Sequence, residues 1–417
     1  MVDFRPFRGL RYTAKAGPLS ELISPPYDVL SLEQVDQLRA RNPANVIQLE
    51  HPAVALRREP QPYAAAARKL AEWRDQGLLR RDEAPGYYVY DQHFVEGGDE
   101  RRRTVIYGRL RLSPWEQGEV LPHEYTMAGP KQDRLQLMEA LRANISPLYL
   151  LYDDPDGHLT RLVRRAEEFG PVAEAEGTGE RHVLRLLNDP VIVGSLEQEF
   201  VRKRLYMADG HHRYETAVAF RERHPDEPGA GFAMVGLTAG SDLGLSVHAT
   251  HRLYSGDVDG RELREKMTGD WAIEAVTEAD LLHRLEGPNA VLGVAGLEDR
   301  ETLYLLRPLH LDELAARVGE GPEVWRRLDV NLLQHVILGE YLGLDPTEPN
   351  QPGLSYVHTA EEAIAAVREG KTELAFLLRP ISPRELFAVS DTGVRLPQKS
   401  TYFYPKLPTG LVLNPLD

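Results

Sequence analysis

Apolar and polar positions along the chain alternate over short distances, which predicts brief strands and helices in irregular succession. Leu205, Tyr206, Met207 and Ala208 form an apolar run long enough for one buried strand, and Asp209-Gly210 breaks it with a tight turn. A helix is predicted next, because Tyr214, Ala217 and Val218 share one face while Glu215, Arg221 and Glu222 lie on others. Upstream, the pattern predicts helices over 32–40, 63–76, 132–144, 158–169 and 191–202. It predicts strands over 45–50, 87–95, 104–112, 147–152 and 181–187. The pair 87–95 and 104–112 is joined by Glu96-Gly97-Gly98-Asp99, a hairpin signal. Strands over 231–237 and 245–253 close this half, which lacks the steady βαβ rhythm of a doubly wound sheet.

Past Ser255-Gly256-Asp257 the pattern changes. Helices over 260–268, 278–285, 311–318, 324–341 and 360–369 alternate with strands over 290–295, 301–306, 373–378 and 385–389. The tail 396–415 interleaves Lys and hydroxyl side chains with aromatics and prolines and is apolar enough to pack back on the body. At 417 residues two domains are expected, here 1–255 and a smaller one over 256–417. The fold class is α+β, a mixed α/β chain.

Hydrophobic residues make up 42% and charged residues 27%, the balance of a chain that folds in water. No apolar run approaches the roughly 20 residues that span a bilayer. The first residues, MVDFRPFRGLRY, carry no apolar signal core, so the expectation is a cytoplasmic protein. Cys is absent, which removes disulfides, a thiolate nucleophile and Cys-ligated metal centres. A net charge of −15 opposes binding to nucleic acid, where Lys and Arg must neutralise phosphates.

Chemistry concentrates at Asp209-Gly210-His211-His212-Arg213. A helix start presents backbone N–H groups and the positive end of a dipole, so two imidazoles and a guanidinium there suit a phosphate. The structural alternative is that Asp209 caps the helix and the basic residues are solvated. His123-Glu124 lies in the pattern-poor loop 121–127, where Glu124 is a candidate general base. Adjacent residues on one loop rarely hydrogen-bond each other, so separate roles are expected for the two. Lys131 and Arg134 open a helix and could reach an anion, with a plain surface helix start as the alternative. Asp28, after the stiff Ser24-Pro25-Pro26-Tyr27, either acts in a site or caps the helix 32–40. Lys399, Ser400, Thr401 and Lys406 are a set able to close over a phosphate. His248 and His251, three apart on an expected strand, would face opposite sides and make a poor metal pair. No Walker loop, Gly-x-Gly-x-x-Gly or Gly-x-Ser-x-Gly is present.

Six segments carry a resemblance: SPPYDVL at 24–30, VLPHEYTMAGPKQDRL at 120–135, NISPLYLLYDD at 144–154, YMADGHHRYETA at 206–217, THRL at 250–253 and LPQKSTYFYPKLPTGLVLN at 396–414. In this order they resemble the family catalogued as domain of unknown function 1015, nearly end to end. More distantly, the Asp-Gly-His-His-Arg box is similar to the phosphate-binding box of the ParB/sulfiredoxin superfamily, which includes archaeal free-serine kinases. That resemblance implies a ParB/sulfiredoxin-like nucleotide-binding domain at the N-terminal side. It implies that Asp209, Gly210, His211, His212 and Arg213 hold phosphate, that Asp209 takes Mg²⁺, and that Glu124 acts as base with His123 beside it. Lys131, Lys399, Ser400 and Thr401 join as phosphate-binding candidates. Sulfiredoxin chemistry is excluded, since its Cys has no counterpart.

The leading expectation is therefore a phosphotransferase moving phosphate from a nucleotide, ATP or ADP, to the hydroxyl of a small metabolite, with L-serine as first guess. The rivals are a nucleotide-binding switch with little turnover and a nucleotide or phosphate-ester hydrolase. No nucleic acid or membrane partner is expected. The oligomeric state is open, a homo-oligomer included, as is the role of residues 256–417 as lid or dimerisation domain.

Overall fold

Strands Tyr87–Glu96 and Asp99–Arg111 pair antiparallel, with Tyr88 opposite Tyr107, as the alternating pattern predicts. The computed structural model to which they belong describes residues 1–126, 128–177, 179–287, 290–348 and 351–417; Met127, in the expected loop 121–127, lies outside the described residues. Two units emerge. The first comprises Met1–Leu121, Thr126–Leu245 and Pro405–Asp417; the second comprises Pro122–Tyr125 and Ser246–Tyr404. The fold is mixed α/β, with no helix among the described residues long and apolar enough to cross a membrane.

The first unit is built on a nine-stranded sheet. Its order is Val120–Leu121, Leu205–Asp209, Leu148–Tyr152, Phe232–Ala239, Asp99–Arg111, Tyr87–Glu96, Glu180–Leu187 and Pro171–Gly177, with Phe4–Arg5 also on Asp99–Arg111. Leu205–Asp209 runs parallel to Val120–Leu121, and Phe232–Ala239 parallel to Leu148–Tyr152; the other pairings are antiparallel. Phe232–Ala239 is buried at every position, the continuous apolar strand of a sheet covered on both faces. One core joins Val89, Ile106, Leu150, Met207, Val235 and Tyr214. A second lies under the helix Pro62–Asp75, with Leu70, Trp73, Leu137 and Leu141.

The second unit carries a six-stranded antiparallel sheet in the order Trp271–Val276, Leu303–Pro308, Leu292–Ala295, Leu374–Leu377, His251–Tyr254 and Leu354–Val357. Leu281, Leu285, Ile364 and Val367 from the helices Glu278–Leu285 and Ala360–Arg368 pack onto Leu303, Leu305 and Leu377.

Several expectations fail for local reasons. Residues 45–50 do not form a strand. Asn45 accepts from the Ile47 amide at 2.9 Å, which winds the chain into the helix Ile47–Glu50, buried at all four positions. Residues 385–389 belong to the helix Pro383–Ser390, started by Pro383 and by a capping box between Ser382 and Glu385. Residues 245–253 divide into Ser246–His248, paired with Tyr402–Tyr404, and His251–Tyr254 in the six-stranded sheet. Residues 324–341 divide into helical pieces Glu323–Arg326, Asp329–Asn331 and the π-helical Leu332–Tyr341. Asp28 does not cap the next helix, because Ser31 and Gln34 form its capping box.

Candidate functional site

Leu205–Asp209 pairs with Leu148–Tyr152 in a register that slips between Met207 and Asp209, so a bulge re-aims Asp209. Gly210 follows at a φ of 98°, and a Cβ there would stand 3.0 Å from Leu148 Cδ2 and 3.2 Å from Arg213 Cζ. Both the backbone angle and the space require glycine. The helix His211–Arg223 begins at once, with Gly210 as its N-cap residue. Trp115 stacks on Tyr214 at 4.2 Å, and the Tyr214 hydroxyl donates to the Ser113 carbonyl at 2.8 Å, which fixes the helix against the sheet.

Asp209 collects cations. Arg213 Nη2 donates to Asp209 Oδ2 at 2.5 Å while Nη1 donates to the Pro147 carbonyl at 2.6 Å. Lys406, from the C-terminal segment of the same unit, donates to Asp209 Oδ1. Burial alone would raise the Asp209 carboxyl, but Lys406 and Arg213, with a contribution from His211, hold it far below the usual carboxylate range. Burial pulls the Arg213 guanidinium down, and Asp209, Asp28, Tyr27 and Glu50 more than offset this, so it stays charged. His211 is buried and His212 half-buried. Arg213 and Lys406 thus stand with Asp209 at the positive end of a helix dipole, where an anion is favoured.

Arg134 forms the next layer. Its guanidinium lies 3.8 Å from the centre of the Tyr27 ring, and its Nη1 donates to the Glu50 carbonyl at 2.8 Å. Asp133 accepts from Arg134 Nε at 2.7 Å and from the Tyr63 hydroxyl at 2.5 Å. Lys131, in the same helix, is ion-paired with Glu215, which also accepts from Thr126 Oγ1 at 2.7 Å and Trp115 Nε1 at 2.9 Å. Lys131 is therefore engaged with the helix that follows the box, a binding candidate whose charge is already matched.

The remaining candidates lie in the second unit. Glu124 Oε1 accepts from the Ser400 amide at 3.0 Å, and the Glu124 carbonyl accepts from Arg395 Nη1 at 3.1 Å. His123 is buried, its Nε2 lies 2.9 Å from Thr401 Oγ1, and its carbonyl accepts from the Leu396 amide at 2.7 Å. His123 and Glu124 thus have separate partners, their side chains 3.7 Å apart. Lys399 holds a φ of 56°, a turn that presents the Ser400 amide to Glu124. His248 stacks on Tyr404 at 4.7 Å, and buried His251 accepts from the Leu378 amide at Nδ1 at 3.1 Å. Burial, with Arg252, His358 and His248 nearby, lowers His251 to about 4.

Among the described residues no three His, Cys, Asp or Glu side chains gather as metal ligands. Asp209 has one oxygen on Arg213 and the other on Lys406, so its carboxylate does not fit the role of an Mg²⁺ ligand. The pattern reading missed Glu50, taken as the end of a strand. Its one signal was a Glu closing an apolar run ahead of His51-Pro52.

The model of the family described as "Protein of unknown function (DUF1015)" matches residues 4–331. Curated proteins gave no match. Among solved structures, the chain is similar to a conserved hypothetical protein from Pyrococcus furiosus, with 15% identity over 71% of this chain and 92% of that one and a TM-score of 0.35. It is similar to a free serine kinase in complex with AMP, at 12% identity, 70% and 89% coverage and a TM-score of 0.34. It is also similar to SbnI with C-terminal truncation from Staphylococcus aureus, at 15% identity, 73% and 87% coverage and a TM-score of 0.36. Likeness at this level is weak, and the functional reading rests on the residues themselves.

Proposed function

The chain belongs to the DUF1015 family, and we propose that it is a phosphotransferase whose cradle at Asp209–Arg213 binds the phosphates of a nucleotide for transfer to a small-molecule hydroxyl. The observation that carries this reading is the Asp209–Arg213–Lys406 cluster at the start of the helix His211–Arg223. Phosphoryl transfer asks mainly for positioning and charge neutralisation, and these residues supply both. The acceptor oxygen bonds to the terminal phosphorus as the bond to the bridging oxygen breaks. The shortened nucleotide leaves with that electron pair, and the hydroxyl proton passes to a carboxylate. Glu124 is the proposed acceptor of that proton. Arg213 and Lys406 offset the charge on the phosphate oxygens, and His211 and His212 stand at the same turn. The ParB/sulfiredoxin-like description of the first unit belongs to the same proposal.

The test is thermal shift of the full chain with ATP, ADP or CTP and Mg²⁺, with and without L-serine, followed by detection of the phosphorylated product. A ligand that binds only the folded state raises the melting temperature by mass action. A shift lost in Arg213→Ala, with product formed only in the presence of an acceptor, is the expected result. No shift with any nucleotide overturns the reading. A second reading is a nucleotide-binding switch with little turnover. Binding without product under every acceptor would select it, and phosphate release without an acceptor would select a hydrolase.

A further inference from the structure

The hairpin strand Asp99–Arg111 carries three arginines in a row, and their settings differ. Arg101 and Arg102 stay partly exposed, ion-paired with Glu96 and Glu167. Arg103 is 0% exposed. A guanidinium is costly to bury unless its donors are used, so its acceptors bear on its role. Arg103 Nη2 donates to Gln92 Oε1 at 2.5 Å and to the Pro405 carbonyl. Gln92 stands opposite Arg103 on the paired strand Tyr87–Glu96 and is also 0% exposed. Its Nε2 donates to Glu180 Oε2 at 2.7 Å and reaches the Lys406 carbonyl at 3.5 Å.

The two side chains thus grip consecutive backbone carbonyls, those of Pro405 and Lys406, where the C-terminal segment of the first unit begins. Pro405 fixes its own φ, and Lys406 Nζ then donates to Asp209 Oδ1. A lysine side chain is a flexible four-carbon stem, so anchoring its backbone lowers the cost of holding the ammonium at one oxygen. The Arg103 guanidinium also lies 5.2 Å from the centre of the Tyr149 ring, and Tyr149 faces Asp209 in the sheet. One buried cation therefore touches both the segment that carries Lys406 and the residue paired with Asp209.

Resting on the cradle reading, we propose that Arg103, supported by Gln92, is a positioning residue of the phosphate site: it fixes the backbone of Lys406 so that the ammonium stands on Asp209, and it does so without touching the ligand. The strand pair Tyr87–Glu96 and Asp99–Arg111 is then the rigid support from which the second cation of the cradle is set.

Two readouts on the full chain separate positioning from stability. Acetylation of Lys406 by acetic anhydride, followed by mass spectrometry, reports where the ammonium stands with no ligand present. The native Lys406 side chain is ion-paired and 13% exposed, so it should react slowly. Calorimetry with ATP and Mg²⁺ reports the cradle. In Arg103→Met, Lys406 should be acetylated about tenfold faster and ATP should bind about tenfold more weakly. That loss of affinity should vanish when both chains compared carry Lys406→Met, because a residue acting through Lys406 then has nothing left to position. Gln92→Leu should move both readouts in the same direction by about threefold. Native acetylation or native ATP affinity in Arg103→Met overturns the proposal, as does an affinity loss that persists undiminished beside Lys406→Met. If circular dichroism shows Arg103→Met unfolded, Gln92→Leu decides, and native acetylation of Lys406 in that variant overturns the proposal. If the native chain binds no ATP, the cradle reading falls, while the acetylation rates still decide whether Arg103 sets Lys406.

Discussion

In the first unit the charged groups of the cradle answer one another: Asp209 faces Arg213 and Lys406, Asp133 faces Arg134, and Glu215 faces Lys131. Around Glu124 and His251, in the second unit, the polar residues are held by backbone and hydroxyl groups instead. Glu124 accepts from the Ser400 amide, His123 meets the Thr401 hydroxyl, His251 accepts from the Leu378 amide, and Arg252 donates to the Thr250 carbonyl. Mutual charge fixes ionisation over a wide pH range. Neutral partners fix position but let burial favour the uncharged form, which lowers His251 to about 4 and Arg252 to about 10. The first arrangement suits binding a charged group, and the second suits holding side chains in place.

The sharpest way to break this contrast is to remove the cradle's charge. Asp209→Ala or Arg213→Ala should lower turnover by about 10³-fold or more, measured as product formed at saturating nucleotide, with the circular dichroism spectrum unchanged. If either variant keeps native turnover, the cradle is not the phosphate site. Replacing the proposed proton acceptor, Glu124→Gln, should lower kcat by about 10²-fold and leave nucleotide affinity as it was. A matched loss of affinity would instead make Glu124 part of the binding apparatus.

Acid should separate the two plans by degree. A His whose folded pKa is depressed contributes full stability above its unfolded value of about 6.5, and loses it as pH falls toward the folded value. For His251, lowered to about 4, the loss amounts to about 3 kcal/mol across that window. Protonation at Nδ1 also removes the acceptor for the Leu378 amide. His182 in the first unit, likewise lowered to about 4 by burial, adds a similar loss. Asp209 is depressed, so its contribution is present above the unfolded value near 3.8 and is lost only in stronger acid. Melting temperature should therefore fall between about pH 6.5 and 4, less steeply in His251→Gln, while Arg213-dependent nucleotide binding persists over the same range. A flat stability profile would mean that the imidazoles are not held neutral. The smallest effect is expected from Gly210→Ala, where a Cβ at positive φ costs about 1–2 kcal/mol and lowers the melting temperature by a few degrees.

Much of the site's first layer could be read from the pattern of residues. The apolar run ahead of Asp209, the Gly210 break and the helical face of Tyr214 and Ala217 locate the strand, turn and helix without any tertiary information. The long hairpin was legible for the same reason, since alternation and a Gly-Gly turn are local signals. What could not be read depended on distant partners. The ends of Asp209 depend on Lys406, and the charges that face buried Glu50 come from Arg134 and Arg213, far along the chain. The helix at 47–50 was hidden because it is buried all round and so carries no periodicity, and its cause is the Asn45 side chain. At Glu385 the capping box had a visible signature, Ser382 three residues ahead, that apolar content overrode.

The pairing of Lys406 with Asp209 joins residues separated by 197 positions, and the second unit is written almost wholly between them. Translation at roughly 5–20 residues per second would leave the Asp209 turn waiting roughly ten to forty seconds for its second cation. During that interval the nascent first unit holds a carboxylate with Arg213 alone and without the C-terminal strand Asn414–Pro415 that pairs with Ala143–Asn144. The Lys406–Asp209 pair and the Asn414–Pro415 pairing are thus completed only after the second unit has been made.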